Sequence, residues 1–222
     1  MAHSPELPAL DGPVLLPASG GAPRALVILV HGYGANGEDL IGLAPHWQQA
    51  LPEAAFIAPN APERCPGAPM GYQWFGLTNL SEDERWRGTA QAAPVLDAFI
   101  DARLAEYGLD ESRLVLVGFS QGTMMSLHAG LRRDRALAGI LGYSGALVGG
   151  HRLGEEIRSR PPVQLIHGDM DQILPLGNMT AAAQALELAG VAVETHISHG
   201  VPHGIGPDGI EIGGRFLLGC LG

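Results

Sequence analysis

Leu114-Val115-Leu116-Val117-Gly118-Phe119-Ser120-Gln121-Gly122 decides the reading of this chain: an apolar run of strand character feeds directly into a G-x-S-x-G pentapeptide. A serine at a sharp turn between a buried strand and a helix is lifted clear of the sheet, and small residues on either side let the backbone turn tightly enough to hold it there. A glycine-bracketed loop serine is the plain alternative, since the pentapeptide alone is a weak signal. The strand before it and the apolar segment Thr123 to Leu131 after it favour a displayed nucleophile.

Working outward, short β-rich runs recur at Ala25 to Val30, Ala54 to Ala58, Leu114 to Val117, Gly139 to Tyr143, Val163 to His167 and Val191 to Ile197. Helical patterns lie between them. The longest runs from Ser81 or Glu82 to Tyr107 and puts Ala93, Leu96, Phe99, Ile100 and Leu104 on one face, with Pro94 predicting a helix start or kink nearby. Shorter helices are expected at Gln121 to Leu131, Asn178 to Leu188 and, in a glycine-rich stretch, Gly209 to Leu218. Strands alternating with helices imply βαβ units, a mostly parallel sheet and functional loops at the carboxyl ends of its strands.

At 222 residues, 46% hydrophobic and 16% charged, the whole chain 1–222 fits one α/β domain with a sizeable core, residues 1–20 forming an N-terminal extension. The formal net charge of −10, with no basic cluster, argues against nucleic acid and against stable association with an anionic membrane. All thirteen basic residues are arginines, and without lysine there is neither a Walker A loop nor a Schiff-base enzyme. Cys65 and Cys220 stand apart in no metal or disulfide pattern. No basic region with an apolar run marks a secretory signal at Met1 to Gly12, and no apolar run is long enough to span a membrane, so a cytoplasmic location is expected.

Residues 59–81 form an irregular excursion, rich in proline and glycine from Pro59 to Pro69 and then carrying Gly71-Tyr72-Gln73-Trp74-Phe75, an aromatic cluster in a chain with only 5% aromatics. A linker has no need of those aromatics, so Trp74 and Phe75 are expected to wall a substrate pocket; anchoring the loop on the core is the alternative, and one does not exclude the other.

A serine nucleophile needs a base within hydrogen-bond reach and an acid to fix that base's tautomer. The chain offers them in the order serine, acid, histidine, each after an expected strand. His167-Gly168-Asp169-Met170-Asp171 supplies two carboxylates, and His199-Gly200-Val201-Pro202-His203-Gly204 supplies two imidazoles. Asp169, at the strand end, is suited to capping the turn, and His199 stays close to the final strand; Asp171 and His203 sit further out and are the expected partners of Ser120. The oxyanion of a tetrahedral intermediate needs backbone N–H donors, expected from Gln121 and from Tyr33 in the loop His31-Gly32-Tyr33-Gly34-Ala35-Asn36-Gly37.

That loop is also a formal G-x-G-x-x-G, but the strand Ala54 to Ala58 ends in Pro59 and Asn60 where a ribose-binding acid would close it, so no dinucleotide cofactor is expected. A metal at His196, His199 and His203 with Asp169, Asp171 or Asp208 is not expected either, because that spacing across a strand end and a proline-containing loop does not share one face.

With these residues in place, the sequence resembles the phospholipase/carboxylesterase family of α/β hydrolases, which includes bacterial carboxylesterases and acyl-protein thioesterases. The resemblance runs from about Ala25 to the C-terminus. It rests on His31-Gly32-Tyr33-Gly34, Pro59-Asn60-Ala61-Pro62 with Trp74-Phe75, the Ser120 pentapeptide, His167 to Asp171, and Gly200 to His203. It implies an α/β-hydrolase fold, a mostly parallel central sheet with helices on both faces, and it places the triad acid and base at Asp171 and His203. Tyr33 stands where the family usually has leucine, and the approach Gly71-Tyr72 to Trp74 also departs from its pattern. The implied activity is hydrolysis of carboxylic esters without a cofactor; both departures touch the acyl pocket, so the substrate does not carry over, and short to medium acyl groups are expected because the excursion carrying Trp74 and Phe75 is short and no long apolar lid segment is visible. An acyl-protein thioesterase or lysophospholipase, and a non-catalytic hydrolase-like binding protein, are the alternatives. The expected partner is a small-molecule ester, with a homodimer as one option for assembly.

Overall fold

The computed structural model describes residues 7–77 and 81–222. Its centre is a seven-stranded sheet built from β1 (Val14–Leu15), β2 (Ala25–Val30), β3 (Ala54–Ile57), β6 (Leu114–Phe119), β7 (Gly139–Tyr143), β8 (Val163–Gly168) and β9 (Val193–Ser198). The order is β1-β3-β2-β6-β7-β8-β9, parallel throughout except for β1, which runs antiparallel to β3. The strand bearing the serine therefore sits in the middle of the sheet, supported on both sides.

Helices cover both faces because the strands are apolar on both. Along β2, Leu26, Ile28 and Val30 turn into one core with α3 (Glu82–Tyr107), α4 (Gln121–Arg132) and α6 (Gly177–Leu188). The alternate residues Ala25, Val27 and Leu29 turn into the other, with α1 (Gly37–Ile41), α2 (Ala44–Gln48) and α7 (Pro207–Leu221). A short helix, α5 (Leu153–Glu156), adds Leu153 to the first core. Among the described residues no helix is long and apolar enough to cross a membrane.

Several expectations need correction. Part of the N-terminal extension, Val14–Leu15, belongs to the sheet. The excursion 59–81 is not wholly irregular: β4 (Glu63–Arg64) and β5 (Tyr72–Gln73) pair antiparallel within it, the Arg64 guanidinium lying 4.2 Å above the Tyr72 ring; residues 78–80 lie outside the described residues. Helix α3 runs from Glu82 to Tyr107 as the pattern predicts, capped by the Ser81 hydroxyl, but no helix starts at Pro94: the chain stays helical through the proline because Pro94 lies on the exposed face while Ala92, Ala93, Val95 and Leu96 are buried. Helices α1 and α2 lie in a stretch where the sequence pattern predicts no helix.

The C-terminal helix is longer than its glycines suggest, and those glycines have a packing cause. The Tyr143 hydroxyl donates to Gly209 O at 3.0 Å, and a Cβ on Gly213 would lie 2.1 Å from the same hydroxyl. Only a bare backbone approaches the sheet that closely.

Candidate active site

Ser120 stands between β6 and α4 with φ +55° and ψ −114°, a left-handed backbone that a side-chain-bearing residue rarely adopts. The flanking glycines make the turn possible. A Cβ on Gly118 would meet the backbone of Gly122 and Thr123 at 2.5 Å, and one on Gly122 would lie 1.7 Å from Val30 O. Ser120 N–H donates to Tyr143 O at 2.9 Å, and the Thr123 hydroxyl donates to the same carbonyl at 2.8 Å, fastening the elbow to β7.

His203 reaches Ser120 from the loop after β9, with Nε2 3.0 Å from the serine Oγ and Nδ1 2.7 Å from Asp171 Oδ2. A carboxylate only accepts, so the proton rests on Nδ1 and leaves Nε2 free to accept the serine proton. Asp171 is fully buried at its side chain, yet the other oxygen, Oδ1, accepts from Ile173 N at 2.9 Å and Leu174 N at 2.8 Å. Burial alone pushes its carboxyl up; the hydrogen bonds from His203 and from the Leu174 and Ile173 N–H groups more than offset that, and the pKa ends below the ordinary carboxylate value. His167, also buried, donates from Nε2 to Leu174 O at 2.7 Å and lies 3.3 Å from Asp171 Oδ2, so it braces the acid from behind.

The other carboxylates and imidazoles pair among themselves. Asp169 accepts from His199 Nδ1 at 2.8 Å and from Gly200 N at 2.7 Å, but that imidazole is 84% exposed and does not bond to Ser120. His196 pairs with Asp208 at 2.7 Å. Among the described residues no three His, Cys, Asp or Glu converge to hold a metal.

Gln121 opens α4, where first-turn N–H groups have no partner within the helix. The loop after β2 lies alongside: a Cβ on Gly32, the residue before Tyr33, would sit 3.3 Å from Ser120 Cβ. Tyr33's side chain points outward, 40% exposed, and the neighbouring Cys65 thiol, followed by partial burial, raises the phenol's pKa. His31 fixes the loop from inside, donating from Nδ1 to Gly32 O (2.7 Å) and accepting at Nε2 from Ala61 N (2.9 Å), while burial lowers its pKa and keeps it neutral.

One contact had no signal in the sequence. The Gln121 side-chain amide accepts from Trp74 N at 2.9 Å and donates to Phe75 O at 2.8 Å, clamping the backbone of the excursion. Trp74 Nε1 adds a bond to His31 O at 3.0 Å. Trp74 and Phe75 are both buried, and they line a cleft of about 500 Å³ against Pro62, Glu63, Arg87 and Gln91; neither Ser120 nor His203 is among its walls.

With a serine, an imidazole and a buried carboxylate in line, comparison with known proteins is informative. The sequence profile of the phospholipase/carboxylesterase family matches residues 16–220. The chain belongs to that family. It is 30% identical to acyl-protein thioesterase 1 of Gibberella zeae over 222 residues, spanning 92% of this chain and 94% of the relative. It is 27% identical to the esterase YpfH of Escherichia coli, over 82% of this chain and 77% of that protein. In structure it is similar to esterase PE8, with a TM-score of 0.93, 43% identity, and coverage of 96% of this chain and 100% of that one. Membership in the family makes the chain an ester hydrolase with the α/β-hydrolase fold.

Proposed function

We propose that this hydrolase is a serine carboxylesterase acting on short to medium acyl esters through an acyl-enzyme. Ser120 is the nucleophile, His203 the general base and then acid, Asp171 the residue that orients His203, and the N–H groups of Tyr33 and Gln121 the oxyanion donors. The observation that carries the reading is the unbroken relay from a buried Asp171 that accepts three hydrogen bonds, through His203, to a serine on a strained elbow.

The chemistry follows from that relay. His203 Nε2 takes the hydroxyl proton as Ser120 Oγ attacks the carbonyl carbon, and Asp171 stabilises the resulting imidazolium. The oxyanion forms beside the first turn of α4, where N–H dipoles already point. His203 then hands the proton to the departing alkoxide. Water, deprotonated by the same imidazole, cleaves the acyl-enzyme and restores the serine.

The restriction to short and medium acyl groups rests on the Trp74–Phe75 wall. Those side chains are buried, and Gln121, the residue next to the nucleophile, holds their backbone in place. A wall fixed in this way separates the 500 Å³ cleft from the serine and limits the room for a long chain. A panel of p-nitrophenyl esters of increasing chain length, used below micelle formation, tests the restriction. Higher kcat/KM on a C16 than on a C4 ester defeats it.

Thioester hydrolysis is the second reading, favoured by the similarity to the Gibberella zeae thioesterase. The same relay serves it, since a thiolate leaves more readily than an alkoxide and demands less of His203. Parallel rates on an acyl-CoA, a lysophospholipid and a p-nitrophenyl ester of matched chain length decide between them. Labelling by a fluorophosphonate that survives Ser120→Ala removes the nucleophile assignment from both.

A further inference from the structure

Among the described residues only two that are not glycine have a left-handed backbone: Ser120, and Ser144 at φ +44°. A Cβ is crowded in that conformation and glycine is not, so a serine held there, 1% exposed, points to a use for its hydroxyl. The hydroxyl donates to Gly204 O at 3.1 Å, and Gly204 directly follows His203. Ser144 N–H is itself fastened, donating to Ile166 O on β8 at 2.9 Å. The residue before it, Tyr143, carries the carbonyl that accepts Ser120 N–H. The tip of β7 therefore grips the elbow with one residue and the histidine loop with the next.

The histidine loop has need of such a tether. It contains Gly200, Gly204 and Gly206, whose freedom would otherwise let the imidazole wander. Upstream of His203 it is held through Gly200 N to Asp169 and through Met170 N to Val201 O. Downstream, the Ser144 hydroxyl holds the Gly204 carbonyl.

We propose that Ser144 is a positioning residue for the base: its hydroxyl, anchored by a strained backbone at the end of β7, fixes the Gly204 peptide and so keeps His203 Nε2 aimed at Ser120. The proposal rests on the reading of Ser120 and His203 as nucleophile and base.

Two variants separate the hydroxyl from the strain. Ser144→Ala loses the hydrogen bond and keeps the crowded Cβ, whereas Ser144→Gly loses the same bond and relieves the crowding. Positioning predicts that both lose the same factor in kcat, about tenfold for one hydrogen bond expressed in the barrier, with KM for a p-nitrophenyl ester unchanged and Ser120 labelling by a fluorophosphonate slowed equally. Their melting temperatures should diverge all the same, glycine above alanine. If activity instead follows stability, with Ser144→Gly as active as the parent, the serine is only structural and the proposal is overturned. Should Ser144→Ala fail to fold, Ser144→Gly decides alone by the same criterion. Ser120→Ala and His203→Ala run alongside: activity surviving in either removes the triad reading and this proposal with it, while loss in both with parental kcat in the Ser144 variants removes the proposal only.

Discussion

Replacing Gln121 by methionine is the sharpest test of how the nucleophile's surroundings are held. Methionine has nearly the volume of glutamine, so the substitution opens no void and adds no bulk. It removes the acceptor of Trp74 N–H and the donor to Phe75 O. Both backbone groups belong to residues at most 5% exposed, where water does not readily replace the lost partner. A buried group left unpaired costs about 1–3 kcal/mol, so the pair costs about 2–6 kcal/mol. In a chain of this size each kcal/mol moves Tm by roughly 2–4 °C, giving an expected fall of roughly 5–20 °C. The backbone N–H of residue 121 survives, so hydrolysis of a C4 ester should persist, while the loosened wall should raise the ratio of kcat/KM on a C8 ester to that on a C4 ester. Calorimetry and the ester panel measure the two halves of the prediction. A Tm within about 2 °C of the parent, with an unchanged chain-length profile, would falsify the clamp and the wall that depends on it.

Other expectations are more compact. Asp171→Asn and His203→Ala should each lower kcat by about three or more orders of magnitude with folding intact, whereas Asp169→Asn and His199→Ala should keep most of it, as steady-state kinetics beside circular dichroism will show. His128 is buried, and burial followed by the Arg132 charge pushes its pKa from 6.5 down to about 4. The unfolded chain therefore binds the extra proton first, and the stability His128 contributes above pH 6.5 drains away as pH falls toward 4, about 2 kcal/mol of it by pH 5. Urea titrations at pH 7.5 and 5 should show a smaller difference in His128→Leu than in the parent; equal differences refute the assignment. Gly122→Ala should not give a folded active enzyme, because its methyl would meet Val30 O at 1.7 Å. Recovery of soluble variant with parental kcat counts against the tight strand–helix crossing.

The relay was legible because it is written in order along the chain, each member after an apolar strand. What the sequence withheld depends on pairs distant in sequence. Nothing near Gln121 says that its side chain will meet residues 74 and 75, and nothing near Ser144 announces its turn or its bond to Gly204. Helix α1 did carry a local sign: Asn36 and Asp39 cap each other reciprocally, and an asparagine three residues before an acid is a capping pattern that the glycine-rich surroundings obscured. Helix α3 was legible from its apolar face, and Pro94 starts no helix within it because a helix tolerates proline when the neighbours on its buried face hold it down. The last helix was legible too but runs past Gly209 to Leu218 at both ends, since its glycines answer to Tyr143 on another element rather than to helix propensity.

The pairing of β8 with β9 does not stop where the strands do. It ends formally at Gly168 opposite Ser198, but Asp169 then bonds to Ser198, His199 and Gly200, Met170 N donates to Val201 O, and Asp171 meets His203. The acid and the base are thus the last rung of a ladder that begins deep in the sheet, and their alignment is inherited from strand register. Surface loops usually absorb insertions and deletions freely, but these two form an exception: one residue gained or lost in either would shift the rungs against each other and part Asp171 from His203.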